Sequence, residues 1–302
     1  MNRTGTLKNY ILVTKPGVVL GNLVSVAGGF FLASRGYFDT TLLMATLMGV
    51  GLVAASGCVF NNCIDRHLDR KMQRTRRRVM AEGRMTPGSA VSYATLLGMA
   101  GIILLWETTN LMCVSIVLTG WIVYVGIYTL YLKPRSASST LIGSLAGAAP
   151  PLAGYCAVLD RLDTGALLLA AIFSLWQMPH FYAIAIARLN DYTAAAIPVL
   201  PVRQGIRTAR KHIIAYILVF TAAVLLPTFT GFTGNSYLAV TGAMGLAWIT
   251  AACSGWKTGN EQRWARRVFI FSILCITLVS AMMALDSTLL QPAKDLLLTC
   301  RP

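Results

Sequence analysis

Nine apolar runs, at about 17–34, 41–62, 89–106, 111–131, 139–159, 165–187, 212–230, 236–255 and 267–286, take up most of this 302-residue chain. Each is close to the roughly 20 residues that carry an α-helix across a bilayer. In lipid every backbone N–H and C=O must be bonded within the protein, so runs of this length predict helices and exclude open sheet. Composition agrees, with only 12% of residues charged against about a quarter in soluble domains. The expected fold class is an all-α polytopic membrane protein, a bundle of about nine transmembrane helices. The connections are too short for a soluble domain, so residues 1–302 are read as a single integral-membrane domain.

A formal net charge of +15 would point to nucleic acid in a soluble protein. Here the positions of the charges give another reason. With the N-terminus cytoplasmic, 22 of the 26 Lys and Arg residues fall on the cytoplasmic side, and only Arg35, Arg161, Lys294 and Arg301 fall outside. Arg3, Lys8 and Lys15 precede the first span, and eight more, from Arg66 to Arg84, follow the second. The acidic residues divide almost evenly, five inside and six outside. Retention of basic loops in the cytoplasm produces this pattern. It predicts a cytoplasmic N-terminus and a periplasmic C-terminus, and it makes nucleic acid unnecessary as a partner. Residues 1–16 are polar and lead into a full-length span, so neither a cleaved leader nor a transit peptide is expected, and a bacterial inner membrane is preferred. The seven cysteines, Cys58, Cys63, Cys113, Cys156, Cys253, Cys275 and Cys300, form no C-x-x-C pair and read as small packing residues. The small-residue run Gly143 to Ala149 reads as close helix packing.

The most informative stretch continues the second span into its loop: Asn61-Asn62-Cys63-Ile64-Asp65-Arg66-His67-Leu68-Asp69-Arg70-Lys71. Asn61, Asp65 and Asp69 recur every four residues, so on a continued helix they share one face over about 12 Å. Two carboxylates on one face at a membrane interface call for a cation between them, and oxygen ligands of this kind suit Mg²⁺. Arg66, Arg70, Lys71, Arg74, Arg76, Arg77 and Arg78 stand around them. Carboxylates for a metal and guanidinium groups for phosphate oxygens make a diphosphate site, whereas a solvated basic loop that only sets topology is the plainer alternative.

A second stretch, Trp176-Gln177-Met178-Pro179-His180-Phe181-Tyr182, lies near the cytoplasmic end of the sixth span, with Asp191-Tyr192 in the next loop. Pro179 is expected to kink the span and free a carbonyl. His180 is an ionisable group at membrane depth, which marks it as a functional candidate against the alternative of a satisfied core histidine. Tyr124, Tyr128 and Tyr131 on the fourth span and Phe173, Trp176, Phe181 and Tyr182 on the sixth lie at matching depth. Their faces suit a cation in a dry pocket, and an interfacial belt explains Tyr131 and Tyr182 equally well.

On these residues the chain resembles the UbiA-type intramembrane prenyltransferases, and among them the branch that makes heme O. The resemblance runs over nearly the whole length: Thr14-Lys15-Pro16, Asn61/Asp65/Asp69 with Arg74-Thr75, Tyr128 to Lys133, Gly147-Ala148-Ala149-Pro150-Pro151, Trp176 to His180, and Asp191-Tyr192 with Ile197-Pro198. The first acidic motif belongs to the whole superfamily, and the tryptophan-to-histidine segment points to the heme branch. Quinone-type relatives carry a second acid-rich motif after the sixth span, whereas here positions 187 and 195, either side of Asp191, are both Ala. Three positions depart from the family pattern. Arg78 is followed by Val79 where Pro is common, Pro134 follows Lys133 where Arg is common, and Ser139 opens the fifth span where Asn is common. No role is carried over to positions 134 and 139.

The resemblance implies helices around a central cavity open to the cytoplasm, Mg²⁺ as cofactor, and transfer of a farnesyl group from farnesyl diphosphate to a vinyl group of heme B. Asp65 and Asp69 then hold the metal; Asn61, Arg66, Lys71, Arg74 and Arg78 meet diphosphate oxygens, and Lys133 approaches from the neighbouring loop. Tyr128 and Trp176 face the farnesyl cation. His180 places the porphyrin through its iron or a propionate, and Asp191 and Tyr192 close the site. The lipid bilayer is the setting, and a heme-copper terminal oxidase pathway is the implied destination of the product. Two rivals differ in what they require: a quinone-precursor prenyltransferase needs the second acidic motif, and an anion transporter needs paired broken half-helices in the two halves.

Overall fold

The computed structural model describes residues 6–257 and 259–287. Arg3, Lys294, Arg301 and Cys300 of the sequence reading lie outside these. Among the described residues, eleven α-helices follow one another: α1 (Thr6–Val13), α2 (Pro16–Ser34), α3 (Thr40–Lys71), α4 (Pro87–Thr108), α5 (Leu111–Ile122), α6 (Ser139–Leu159), α7 (Thr164–Ala187), α8 (Leu189–Ala194), α9 (Leu200–Phe229), α10 (Asn235–Cys253) and α11 (Glu261–Leu285). A π-helical segment, Val123–Leu132, continues α5. Nine helices, counting α5 and its extension as one and leaving out the short α1 and α8, are long and apolar enough to cross a membrane.

The ends of these helices are written locally. Asp39, Thr86, Asn110, Asp163 and Asn260 each accept a backbone N–H in the first turn of the helix that follows, for α3, α4, α5, α7 and α11. Such caps satisfy donors that the helix itself leaves open. At the other end of the first membrane helix, Arg35 takes a left-handed conformation at φ 45° and closes the chain back onto the Phe31 carbonyl.

Packing relies on small residues, as expected where lipid supplies little hydrophobic drive between helices. A Cβ placed at Gly29 would lie 2.0 Å from the Pro151 carbonyl oxygen, and one at Gly154 would lie 2.1 Å from that of Val26, so α2 and α6 touch backbone to backbone. Gly49 and Gly101 bring α3 and α4 together in the same way. Within the run 143–149, Gly147 admits the Gln177 amide of α7 and Gly143 admits the Tyr128 ring. The larger buried cluster joins α6, α7, α9, α10 and α11 around Trp248, Tyr155, Tyr237 and Phe173. A smaller one joins α2, α3, α4, α5 and α6. Large apolar residues such as Leu20, Leu96, Trp106, Leu246 and Leu274 face outward, as a lipid solvent requires. Five of the cysteines, Cys58, Cys63, Cys113, Cys156 and Cys275, are buried and free, and Cys253 is exposed.

α7 is helical on both sides of Pro179, which gives up one backbone hydrogen bond within it. One expectation needs correction. The seventh span was placed at 212–230, yet its helix begins at Leu200 and is interrupted only at Gly205, whose φ of 81° and ψ of 163° leave the helical region. The basic residues Arg203, Arg207, Arg210 and Lys211 obscure the helical pattern of that first part.

The backbone contact between α2 and α6 gives a direct test. Gly154→Val should destabilise the detergent-solubilised protein by about 1–3 kcal/mol, as overpacking does, seen as a lower melting temperature. Gly17→Ala, where no atom lies within 4 Å of the added Cβ, should leave it unchanged.

Candidate active site

α3 stays helical to Lys71 and so carries Asn61, Asp65 and Asp69 down one face. All three side chains are buried, the two carboxylates to 1% exposure. An ionised carboxylate taken out of water needs partners, and they come from elsewhere in the chain. Lys133, just past the π-helical segment, forms an ion pair with Asp65 Oδ2. Arg78, from the loop after α3, donates to both oxygens of Asp69 at 3.0 Å. Thr75 Oγ1 donates to the Asp69 carbonyl at 3.0 Å, fastening the same loop to the end of the helix.

Asn61 and Asn62 bind further segments. Lys15 donates from Nζ to Asn61 Oδ1, and the Asn61 amide donates to Thr129 Oγ1 at 3.1 Å. Asn62 donates to the Val13 carbonyl at 2.6 Å, which docks the end of α1. Lys15 sits between α1 and α2 with φ 55° and ψ 67°. Pro16 disfavours right-handed helix at the preceding residue, and a left-handed lysine carries strain of about 1 kcal/mol. Its ammonium is thereby aimed inward at α3. Burial, together with Arg78 and Lys133 nearby, lowers the Lys15 pKa to about 8. Burial pulls on Lys133 as well, but the Asp65 carboxylate outweighs it and holds that lysine above its ordinary value.

The π-helical segment widens the turn so that residues five apart bond: Lys133 N–H donates to the Tyr128 carbonyl at 2.9 Å and Thr129 Oγ1 to that of Tyr124 at 2.8 Å. Tyr124 and Tyr128 stack with centroids 6.0 Å apart. Beside them is a cleft of about 30 Å³ lined by Tyr128, Lys133, Ser139, Thr140, Phe181, Ala185, Tyr192, Ile197 and Val199. The sequence places Asp191 and Tyr192 in a loop, but they lie on the short helix α8, which closes over this end. Asp191 Oδ1 accepts the Gln73 backbone N–H at 2.8 Å, and Tyr192 packs with Leu68, Met72, Ala195 and Ile197.

The other expected cations do not converge. Arg66 donates to the Cys63 carbonyl of its own helix at 2.8 Å, and Lys71 and Arg74 are exposed. Arg70 and Arg84 hold the loop instead, on the Ala81 carbonyl and on Asn9 with the Arg77 carbonyl. His180 lies apart from the acidic face, against α11: its Nδ1 is 2.7 Å from Ser272 Oγ, and its ring is 4.8 Å from both Trp176 and Phe269. Lys15, Thr129 and Ser272 were not singled out as site residues from the sequence. Lys15 and Thr129 each had a signal, their places in Thr14-Lys15-Pro16 and in Tyr128 to Lys133; nothing in the pattern marked Ser272, a serine inside an apolar span.

The donor set suits a hard divalent ion that shares its shell with a ligand. Asp65 Oδ1 is buried with no hydrogen-bond partner, one helical turn from the Asp69 carboxylate. Among the described residues no group of three or more His, Cys, Asp and Glu side chains gathers to chelate a metal. Two carboxylates completed by water and phosphate oxygens are an ordinary Mg²⁺ environment.

A membrane-spanning helical bundle with paired acids and converging cations at one end has the charges to bind a metal and an anionic, diphosphate-type ligand. The chain belongs to the UbiA prenyltransferase family, whose model matches residues 22–274. It is 52% identical over 297 residues to protoheme IX farnesyltransferase 2 of Pseudomonas fluorescens strain Pf0-1, covering 98% of this chain and 100% of that one. It is 55% identical over 280 residues to the protoheme IX farnesyltransferase of Photorhabdus laumondii, covering 93% and 95%. In fold it is similar to a solved digeranylgeranylglyceryl phosphate synthase, with a TM-score of 0.75 at 17% identity over 92% and 98% of the two chains. A UbiA homolog from Archaeoglobus fulgidus, solved bound to GPP and Mg²⁺, matches with a TM-score of 0.70 at 14% identity over 91% and 99%.

Removing the Lys133 ammonium leaves Asp65 buried without its counter-ion. Lys133→Met should therefore cost about 3 kcal/mol of stability, at the low end for a broken buried pair, while Lys71→Met, on an exposed residue, should not shift the melting temperature.

Proposed function

We propose that this chain transfers a farnesyl group from farnesyl diphosphate to a vinyl group of heme B, giving heme O and diphosphate, as a single-domain protein of the bacterial inner membrane with its N-terminus in the cytoplasm and its C-terminus in the periplasm. The observation that carries the reading is the convergence of Lys15, Arg78 and Lys133 on the buried face of Asn61, Asp65 and Asp69. Three cations against two carboxylates leave an excess of positive charge that an anion would balance. The choice of heme as acceptor is supported by the names of the relatives that match over nearly the full length.

Asp65 and Asp69 are the residues to hold Mg²⁺. When bound, the ion supplies Lewis-acid neutralisation of the diphosphate as it departs. Arg78, Lys133 and Lys15 take diphosphate oxygens from three sides, while Arg66, Lys71 and Arg74, which make no contact with the acidic face, add positive charge on the loop side. Asn61 orients the Lys15 ammonium. The Tyr128 face stabilises positive charge on the farnesyl C1, whereas Trp176, expected there from the sequence, turns toward α11 and backs His180; the closed end formed by Asp191 and Tyr192 keeps water from that carbon. The vinyl group attacks C1 as the C1–O bond to diphosphate breaks, and water adds to the resulting porphyrin-side cation with loss of a proton, completing the hydroxyethylfarnesyl group. His180 places the heme. A heme-copper terminal oxidase pathway would take up the product.

Purified protein incubated with heme B, farnesyl diphosphate and Mg²⁺ should yield a more hydrophobic heme on extraction. Asp65→Ala or Asp69→Ala should lower the yield at least about a hundredfold, the scale for loss of a group that stabilises transition-state charge, with the protein still in the membrane. Wild-type turnover in either variant would end the assignment of the acidic motif.

Lys15 adds a pH dependence. It is protonated below about 8 in the free protein, so affinity for a non-reacting prenyl diphosphate analogue should fall as pH rises through that value. Lys15→Arg, which keeps its charge, should abolish the fall, and Lys15→Met should bind weakly throughout. A flat profile in the wild type would remove Lys15 from the diphosphate site.

A further inference from the structure

Trp176 and His180, one turn apart on α7, both engage a single residue of α11. The Trp176 indole N–H donates to the Ser272 carbonyl at 2.7 Å, and His180 Nδ1 lies 2.7 Å from Ser272 Oγ. A serine hydroxyl has one proton, and this one is committed: Ser272 Oγ donates to the Phe269 carbonyl at 2.6 Å within its own helix. Oγ therefore meets the imidazole as an acceptor, and Nδ1 carries the ring proton. On a neutral imidazole the lone pair is then on Nε2.

The ring is held as well as protonated in one way. Trp176 and Phe269 flank it at 4.8 Å, with interplanar angles of 36° and 48°, and Phe181 meets it edge-on at 5.6 Å. Ser272 is fully buried, whereas His180 keeps partial exposure. Among the described residues no hydrogen bond or ion pair engages Nε2.

We propose that Ser272 is a positioning residue for the heme: by accepting the Nδ1 proton it fixes His180 in the tautomer whose Nε2 ligates the heme iron. The proposal rests on the reading of His180 as the heme-placing residue and sharpens it. A neutral His180 in this tautomer has no proton at Nε2 to give a propionate, whose oxygens accept only, so iron is the partner the tautomer matches. Histidines that ligate metals commonly donate their other ring N–H in this way, which orients the ring and raises its basicity.

The test uses detergent-purified full chain as wild type, Ser272→Ala, Ser272→Thr and His180→Ala, titrated with ferrous heme B without the prenyl donor. Heme absorption, the iron–histidine stretching band in resonance Raman, melting temperature and binding of a prenyl diphosphate analogue are all read. The wild type should show an iron–histidine band that His180→Ala lacks. Ser272→Ala should shift that band to lower frequency and weaken heme binding about tenfold, the lower end for loss of such a partner, with diphosphate binding unchanged. Ser272→Thr, which retains a hydroxyl, should restore both. Wild-type band position and affinity in Ser272→Ala would overturn the role of Ser272 while leaving His180 as ligand. A lower melting temperature with weaker heme binding but an unshifted band would also overturn it, making Ser272 a packing residue. Identical spectra for wild type and His180→Ala would remove the heme reading of His180 itself, and the proposal with it.

Discussion

Two carboxylates buried at the end of an apolar helix cannot stand without cations, and the architecture of one end of the molecule follows from that. Asp65 and Asp69 are almost wholly removed from water. Their partners come from separate stretches of chain, Lys133 beyond the π-helical segment and Arg78 from the loop after α3. Asn61 draws in the α1–α2 junction through Lys15, and Asn62 draws in the end of α1 through the Val13 carbonyl. Three stretches of chain, the α1–α2 junction, the loop after α3 and the start of the loop after the π-helical segment, are thus tied to this end of α3. Breaking one tie leaves a charge without compensation in a region of low dielectric, so the same contacts that organise the site also stabilise the fold around it.

The geometry of the fourth membrane helix serves the same end. A regular helix through Val123–Leu132 would wind Tyr128 and Lys133 away from each other, and the wider π turn brings residues five apart into line. Tyr128 and Lys133 consequently line one cleft together with Phe181 of α7 and Tyr192 of α8. α7 faces two ways: Phe181 and Ala185 look toward that cleft, while Trp176 and His180 look toward α11. In the proposed reaction this single helix links the end that holds diphosphate to the surface that holds heme, which gives a physical route by which the two substrates meet.

The spans were legible because a bilayer enforces a length and a composition that no loop imitates. The Asn61, Asp65 and Asp69 register was legible for a similar reason, since a spacing of four is meaningful only on a helix, and α3 does continue to Lys71. The cations around that register do not all behave alike in the folded chain. Of those expected there, Arg78 reaches the acidic face, Arg66 turns back on its own helix, and Lys71 and Arg74 stay exposed.

From sequence alone came the fold class, the number of membrane helices and the acidic register, properties of local composition and period, and the family, by resemblance along nearly the whole chain. Which cation pairs with which acid was decided only by tertiary structure, because Lys133 and Asp65 are 68 residues apart and Lys15 and Asn61 are 46 apart. The inward turn of Lys15, the π-helical register of Tyr128 and the serine behind His180 belong to the same class. Each is chosen by packing between helices distant in the chain, and a buried polar group takes whichever partner the folded bundle brings within reach.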